Sequence, residues 1–185
     1  MTRGRPPITP ARRAEQIAET LLAELPRRRD HVRGVARRAE ELATRISDDD
    51  AVTVVTAAWL HDIGYSPQIL DTGFHPVDGA RFLRAQRFPD LVVCLVAHHT
   101  GAEAEAEERG LAAQLREFAR PPEALLDLVT CADMQTGPQG DRVDAQERVT
   151  EILQRYPAEH PVHRAVTRSA PALLAAVDRI RSLER

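Results

Sequence analysis

Ala57-Ala58-Trp59-Leu60-His61-Asp62-Ile63-Gly64 closes a stretch, 51–62, that is almost wholly apolar. The segment Val52-Thr53-Val54-Val55 is β-branched and would suit a strand locally. The run is too long for that and lacks alternation, so it predicts a buried helix with Gly64 as its stop. Ser47 followed by Asp48-Asp49-Asp50 predicts the start, with negative charge at the positive end of the helix dipole. His61 and Asp62 then sit at a helix end. Neighbouring side chains there point ~100° apart, and both reach one metal only near a terminus or a central axis.

Helical spacing continues on both sides. Thr9-Pro10 reads as a cap and first-turn proline, followed by Ala14, Ile17, Leu21 and Leu25. Pro26 opens a second helix, in which His31, Val35, Ala39 and Leu42 share the core face. After a loop over 67–73, His75-Pro76 begins a helix that turns Ala80, Phe82 and Leu83 inward. Pro89-Asp90 begins another, whose apolar run 91–97 ends at His98-His99-Thr100-Gly101. Residues 102–110 read as a solvated connection or frayed helix. Leu111, Leu115 and Phe118 mark a helix ending before Pro121-Pro122, and Glu123 to Met134 form the next. Gly137-Pro138-Gln139-Gly140 ends it. Val143 to Tyr156 and Pro171 to Leu183 make the last two. No segment reads as a strand, so the fold class is all-α.

The 185 residues carry a formal charge of −3, and 43% are hydrophobic. That is enough chain for one sizeable core, with ~70% of the unfolded surface open to burial. The charge argues against broad nucleic-acid binding. All 25 basic residues are Arg, so any phosphate contact falls to Arg, His, hydroxyls or backbone N–H groups. Arginine suits phosphate because its fork binds two oxygens. Cys94 and Cys131 lie in apolar runs and read as core thiols in a reducing cytoplasm. No run approaches the ~20 apolar residues of a membrane span. Residues 1–8 lack an apolar core of the signal-peptide kind and read as a flexible arm. An oligomer is compatible with all of this.

Six residues carry the chemistry: His31, then His61-Asp62, then His75, His98 and Asp133. The His-Asp pair offers a neutral nitrogen and an anionic oxygen, and the carboxylate has two oxygens with which to bridge two metals. Imidazole with carboxylate suits Fe, Mn, Ni, Co or Zn. Metals so held activate water for hydrolysis. His160 and His163 are spaced H-x-x-H but flank prolines, and read as surface histidines.

The order His31 … His61-Asp62 … His75 … His98 … Asp133 resembles the HD-domain superfamily of metal-dependent phosphohydrolases. The flanks agree: Ala57 to Gly64 is similar to the family's central helix, and Phe74-His75-Pro76-Val77-Asp78-Gly79-Ala80 to the segment bearing the second-site His. Val96-Ala97-His98-His99-Thr100-Gly101 looks like the next His, and Cys131-Ala132-Asp133 like the closing Asp. The nearest subgroup is the small bacterial two-metal type that includes diadenosine tetraphosphate hydrolases. The resemblance implies one HD-fold helical bundle over 9–185, with its metal-binding core at about 25–140 and C-terminal helices over 143–185.

It further implies two divalent transition metals. The first takes His31, His61, Asp62 and Asp133; the second takes bridging Asp62 with His75 and His98. A bridging water would lose a proton and attack phosphorus, which makes Asp62 the central catalytic residue. Spacing to Gly101 favours His98 as ligand and leaves His99 as a neighbour or substrate contact. Many members carry Lys just after the His-Asp-x-Gly motif, where this chain has Tyr65. Replacement phosphate contacts are then sought in Arg81, Arg142 and Arg148, with Thr136 and Gln135 lining the pocket. The expected substrate is a small phosphorylated molecule, a nucleotide above all. Two rival readings share the fold: a mixed-valent di-iron oxygenase, and a non-catalytic nucleotide-sensing module.

Overall fold

A computed structural model describes residues 9–183; the arm expected over 1–8 lies outside the described residues. The chain forms α1 (Pro10–Leu21), α2 (Pro26–Ala43), α3 (Asp48–Leu60), a 3-10 turn (Ile63–Tyr65), α4 (His75–Ala85) and α5 (Asp90–His98). There follow α6 (Ala102–Glu108), α7 (Ala112–Leu115), α8 (Glu123–Met134), α9 (Ala145–Arg155) and α10 (Pro161–Leu183). The fold is all-α. The one β feature among the described residues is an isolated bridge between Thr136 and Arg142.

The apolar run becomes the central helix because its second half is apolar all round and buried on nearly every side, while Val52 in its first turns stays exposed. α1, α2, α5 and α8 all pack on α3. Val54, Ala57, Ala58 and Leu60 are fully buried, and Trp59 is half-buried against the core. Ser47 caps the helix, its Oγ accepting from the Asp50 backbone N–H at 3.3 Å. At the other end the chain tightens into the 3-10 turn. Gly64 there lies so close to α4 that a Cβ would stand 1.9 Å from the His75 carbonyl oxygen. The glycine thus serves close approach between the end of α3 and the start of α4.

One element is decided between two expected readings, and two others differ from expectation. Residues 102–108 form a helix in which Ala102 and Ala106, one turn apart, are both buried; Glu103 and Glu107 face solvent, while Glu105 is half-buried beside Arg109. The helix expected around Leu111 to Phe118 is only the single turn α7, although Leu115 and Phe118 are buried as foreseen. The last helix begins at Pro161 and runs through Pro171 instead of starting there. An internal proline costs about 3 kcal/mol. Burial of Ala165 on one side and of Leu173, Ala176, Val177 and Ile180 on the other offsets it. Cys131 is buried, but Cys94 is only half-buried. No described helix is long and apolar enough to cross a membrane.

Candidate metal centre

The ends of five helices meet at one place. His31 comes from the first half of α2, and His61 and Asp62 from the end of α3. His75 opens α4, His99 follows the last residue of α5, and Asp133 sits in the last turn of α8. His75 is held by a staple at the start of its helix. The Asp78 carboxylate accepts from the Thr72 backbone N–H (2.9 Å), the Thr72 hydroxyl (2.7 Å) and the Gly73 N–H (3.1 Å).

The side chains form two trios. His31, His61 and Asp133 bring ligand atoms within 4.8 Å of one another, and so do Asp62, His75 and His99. Asp62 faces both. Its Oδ2 is 3.4 Å from His61 Nε2 and 3.8 Å from His31 Nε2, while its Oδ1 is 3.3 Å from His75 Nε2 and 3.8 Å from His99 Nε2. His31 Nε2 also lies 3.0 Å from Asp133 Oδ1.

Backbone carbonyls set the imidazoles. Nδ1–H of His31 donates to the Gly137 carbonyl (3.0 Å), that of His61 to Ala58 (2.8 Å) and that of His99 to Val96 (2.7 Å). Each bond fixes the ring and turns Nε2 inward, as outer partners of metal-binding histidines do. His61 Nε2 is fully buried and has no hydrogen-bond partner. His75 Nε2 and His99 Nε2 face each other at 3.2 Å, with His75 Nε2–H donating to the bare His99 nitrogen when no cation lies between them. An orphaned buried nitrogen and a nitrogen pair pointed at one spot fit a cation between the rings.

Charge is concentrated here. Burial works to raise the Asp62 carboxyl, but Arg28 and then His61 outweigh it and hold it well below the usual carboxylate range. Burial likewise opposes ionisation of Asp133, which the His31 hydrogen bond and charge pull down. Burial disfavours the His61 imidazolium, yet Asp62 pushes that group up to about 9. His75 and His99 go the other way, lowered chiefly by burial. The centre therefore holds two buried anions that need compensating charge.

His98 lies outside both trios. Its Nε2–H donates to the Phe118 carbonyl at 3.0 Å, and its Nδ1 faces Glu103 at 3.7 Å. Against expectation, His99 and not His98 stands beside His75. His98 is the last helical residue of α5, and the chain turns extended at His99, which swings that side chain into the centre.

The sequence-based substrate contacts divide. Arg148 is buried and lines the cavity over the trios, its Nη1 donating to Glu151 Oε2 at 2.5 Å. Tyr65 lines it too and stacks on His75 with ring centroids 4.0 Å apart. Arg81 instead pairs with Asp71 and Glu117 on the outer surface, and Arg142 pairs with Glu41. Thr136 is buried and donates its hydroxyl to the Ala132 carbonyl, and Gln135 accepts from Arg38 Nε. None of these four lines the cavity: surface acids pair Arg81 and Arg142, the Ala132 carbonyl at the end of α8 holds Thr136, and Arg38 of α2 holds Gln135. His160 and His163 are half-buried and belong to neither trio; His160 stacks on Tyr156, and His163 Nδ1–H donates to the Tyr156 carbonyl at 2.9 Å.

Several residues of the cavity have no counterpart among the expected contacts, Arg28 and Tyr156 first among them. Arg28 Nη1 donates to Asp62 Oδ2 at 2.6 Å, and its guanidinium lies 4.0 Å over the Tyr65 ring. Its signal was available, since it stands one turn before His31 on the same face of α2. Tyr156, at the end of α9, also lines the chamber. The small chamber over the trios, about 90 Å³, opens into a groove of about 790 Å³. Arg28, His31, Tyr65, Arg148, Arg155 and Tyr156 line both, and Arg27, Gln154 and Pro138 extend the groove outward.

Searches of curated proteins and of solved structures found no match. The family model described as the HD domain matches residues 28–134, a span that contains all six side chains of the two trios. Members of that family are mostly metal-dependent phosphohydrolases, and the buried His/Asp clusters of this chain suit divalent metals. On the matched span, which is more than half of its length, the chain belongs to the HD-domain family.

Proposed function

We propose that the chain is a two-metal phosphohydrolase that cleaves a phosphoester or phosphoanhydride, with a nucleotide as substrate. The observation that carries this is Asp62: one of its oxygens faces each trio. His31, His61 and Asp133 would complete one site, and His75 and His99 the other. Bound divalent cations lower the pKa of coordinated water and draw charge from phosphoryl oxygens.

The chain's own groups supply the rest. The carbonyl-fixed imidazoles keep their Nε2 atoms aimed inward without needing to reorganise. Arg148, buried and forked, is positioned to bind a phosphoryl oxygen at the chamber mouth. Tyr65, held protonated by burial, forms a flat wall. Such walls of Tyr65 and Tyr156, with arginines beside them, suit a planar base carrying phosphate. The outer groove has the volume of a ligand pocket, whereas the chamber over the trios has room for little more than a phosphoryl group.

The test is turnover without oxygen. Metal-free protein is reconstituted with Mn²⁺, Ni²⁺ or Fe²⁺ under anaerobic conditions and given a panel of nucleotides and simple phosphoesters. Release of phosphate or a nucleotide product is the expected result, with nucleotides exceeding small esters in kcat/KM. Turnover that requires O₂ and yields an oxidised organic product would place the chain with the di-iron oxygenases instead.

A further inference from the structure

Arg28 makes the shortest ionic contact to Asp62 among the described residues, Nη1 donating to Oδ2 at 2.6 Å. It bonds Oδ2, the oxygen that also faces His31 and His61. In the metal-free protein it is therefore the largest source of the compensating charge that the buried carboxylate requires, with His61 second. The same guanidinium lines both the chamber and the outer groove and rests on the Tyr65 ring, whose other neighbour is His75. Arg28 side-chain exposure is 23%, against 4% for Asp62, so the arginine alone of the pair has a path to solvent.

We propose that Arg28 is a metal-responsive arm: it occupies Asp62 when the first trio is empty, and cation binding releases it to the groove, where it binds the phosphate of the substrate. A divalent cation at Oδ2 repels a guanidinium bonded to that atom. The flat face of Tyr65 keeps the freed group at the mouth of the chamber, beside Arg148. No backbone movement is needed, because Arg28 already borders both spaces. The arm makes phosphate binding follow metal loading, so that the metal-free protein does not hold substrate unproductively. It rests on the two-cation reading above.

Two binding measurements on the full chain test it without turnover. Mn²⁺ is titrated calorimetrically into metal-free wild type and Arg28→Gln, and inorganic phosphate into both after Mn²⁺ loading. Removing the competing cation is expected to tighten Mn²⁺ binding about tenfold, and loss of the arm to weaken phosphate binding about tenfold. Arg28→Lys, which keeps the charge, should stay within roughly threefold of wild type for Mn²⁺ and lose part of the phosphate affinity. Mn²⁺ affinity that is unchanged or weaker in a folded Arg28→Gln protein overturns the competition. Tighter Mn²⁺ with unchanged phosphate affinity overturns the release. Absence of Mn²⁺ binding in every variant sinks the two-cation reading along with this one, whereas a failure to hydrolyse phosphoesters leaves both binding results standing.

Discussion

Asp62→Asn is expected to empty both metal positions at once. The substitution keeps the shape of the side chain but removes the charge that both trios share, and an amide oxygen cannot serve two cations as a carboxylate does. Metal analysis should fall from about two equivalents to none held firmly. Hydrolysis should drop by roughly 10³-fold or more, which corresponds to about 4 kcal/mol of barrier. Arg28 would lose its ionic partner, but it is partly exposed and can turn toward water, so the fold should survive. Retention of one firmly bound metal equivalent would mean that Asp62 serves a single site.

The paired substitutions His99→Ala and His98→Ala should separate cleanly. His99 Nε2 stands 3.2 Å from His75 Nε2, and its ring is fixed by the Val96 carbonyl. Its loss should weaken the second metal by roughly 100-fold or more, about 2.7 kcal/mol, while leaving the first in place. His98 bonds the Phe118 carbonyl in a separate part of the core. Its removal leaves that buried acceptor unsatisfied and should cost about 1–3 kcal/mol of stability. Both metals should remain bound. Calorimetric metal titration beside thermal melts reads the two effects independently. A stable His99→Ala protein with both metals, beside a His98→Ala protein lacking one, would reverse the assignment.

The choice between those histidines shows where the sequence stops being legible. The apolar run ending at His61-Asp62 determines a buried helix and puts two ligand types at its end, because few other arrangements can bury so many apolar residues in succession. The core faces of α2 and α8 are readable in the same way, which is why His31 and Asp133 converge where expected. His98 and His99 are both buried, and adjacent positions at a helix end point in different directions. Only the exact residue at which α5 gives way to extended chain decides between them. Periodicity does not resolve that boundary.

Arg28 escaped for another reason. It sits in the run Arg27-Arg28-Arg29, where a solvated surface is the ordinary reading, and its role depends on Asp62, 34 residues away. Arg81 and Arg142 look equally suitable in sequence, but nearby acids draw them to the outer surface. The helix over 102–108 was obscured by its alternation of Ala and Glu, which imitates a polar connection. Its two buried alanines are one turn apart, a signal too weak to stand against the surrounding charge. Pro171 misled because proline favours a first helical turn. Here the packing of α10 on α6 and α8 carries the helix through it.

The shared carboxylate is the centre of the account, and anomalous diffraction from crystals of the chain soaked in Mn²⁺ tests it most directly. Two peaks are expected, roughly 3.5–4 Å apart as in two-metal sites. One should touch His31, His61, Asp133 and one oxygen of Asp62; the other should touch His75, His99 and the remaining oxygen. A single peak, or two peaks of which either lies beyond reach of Asp62, would contradict it.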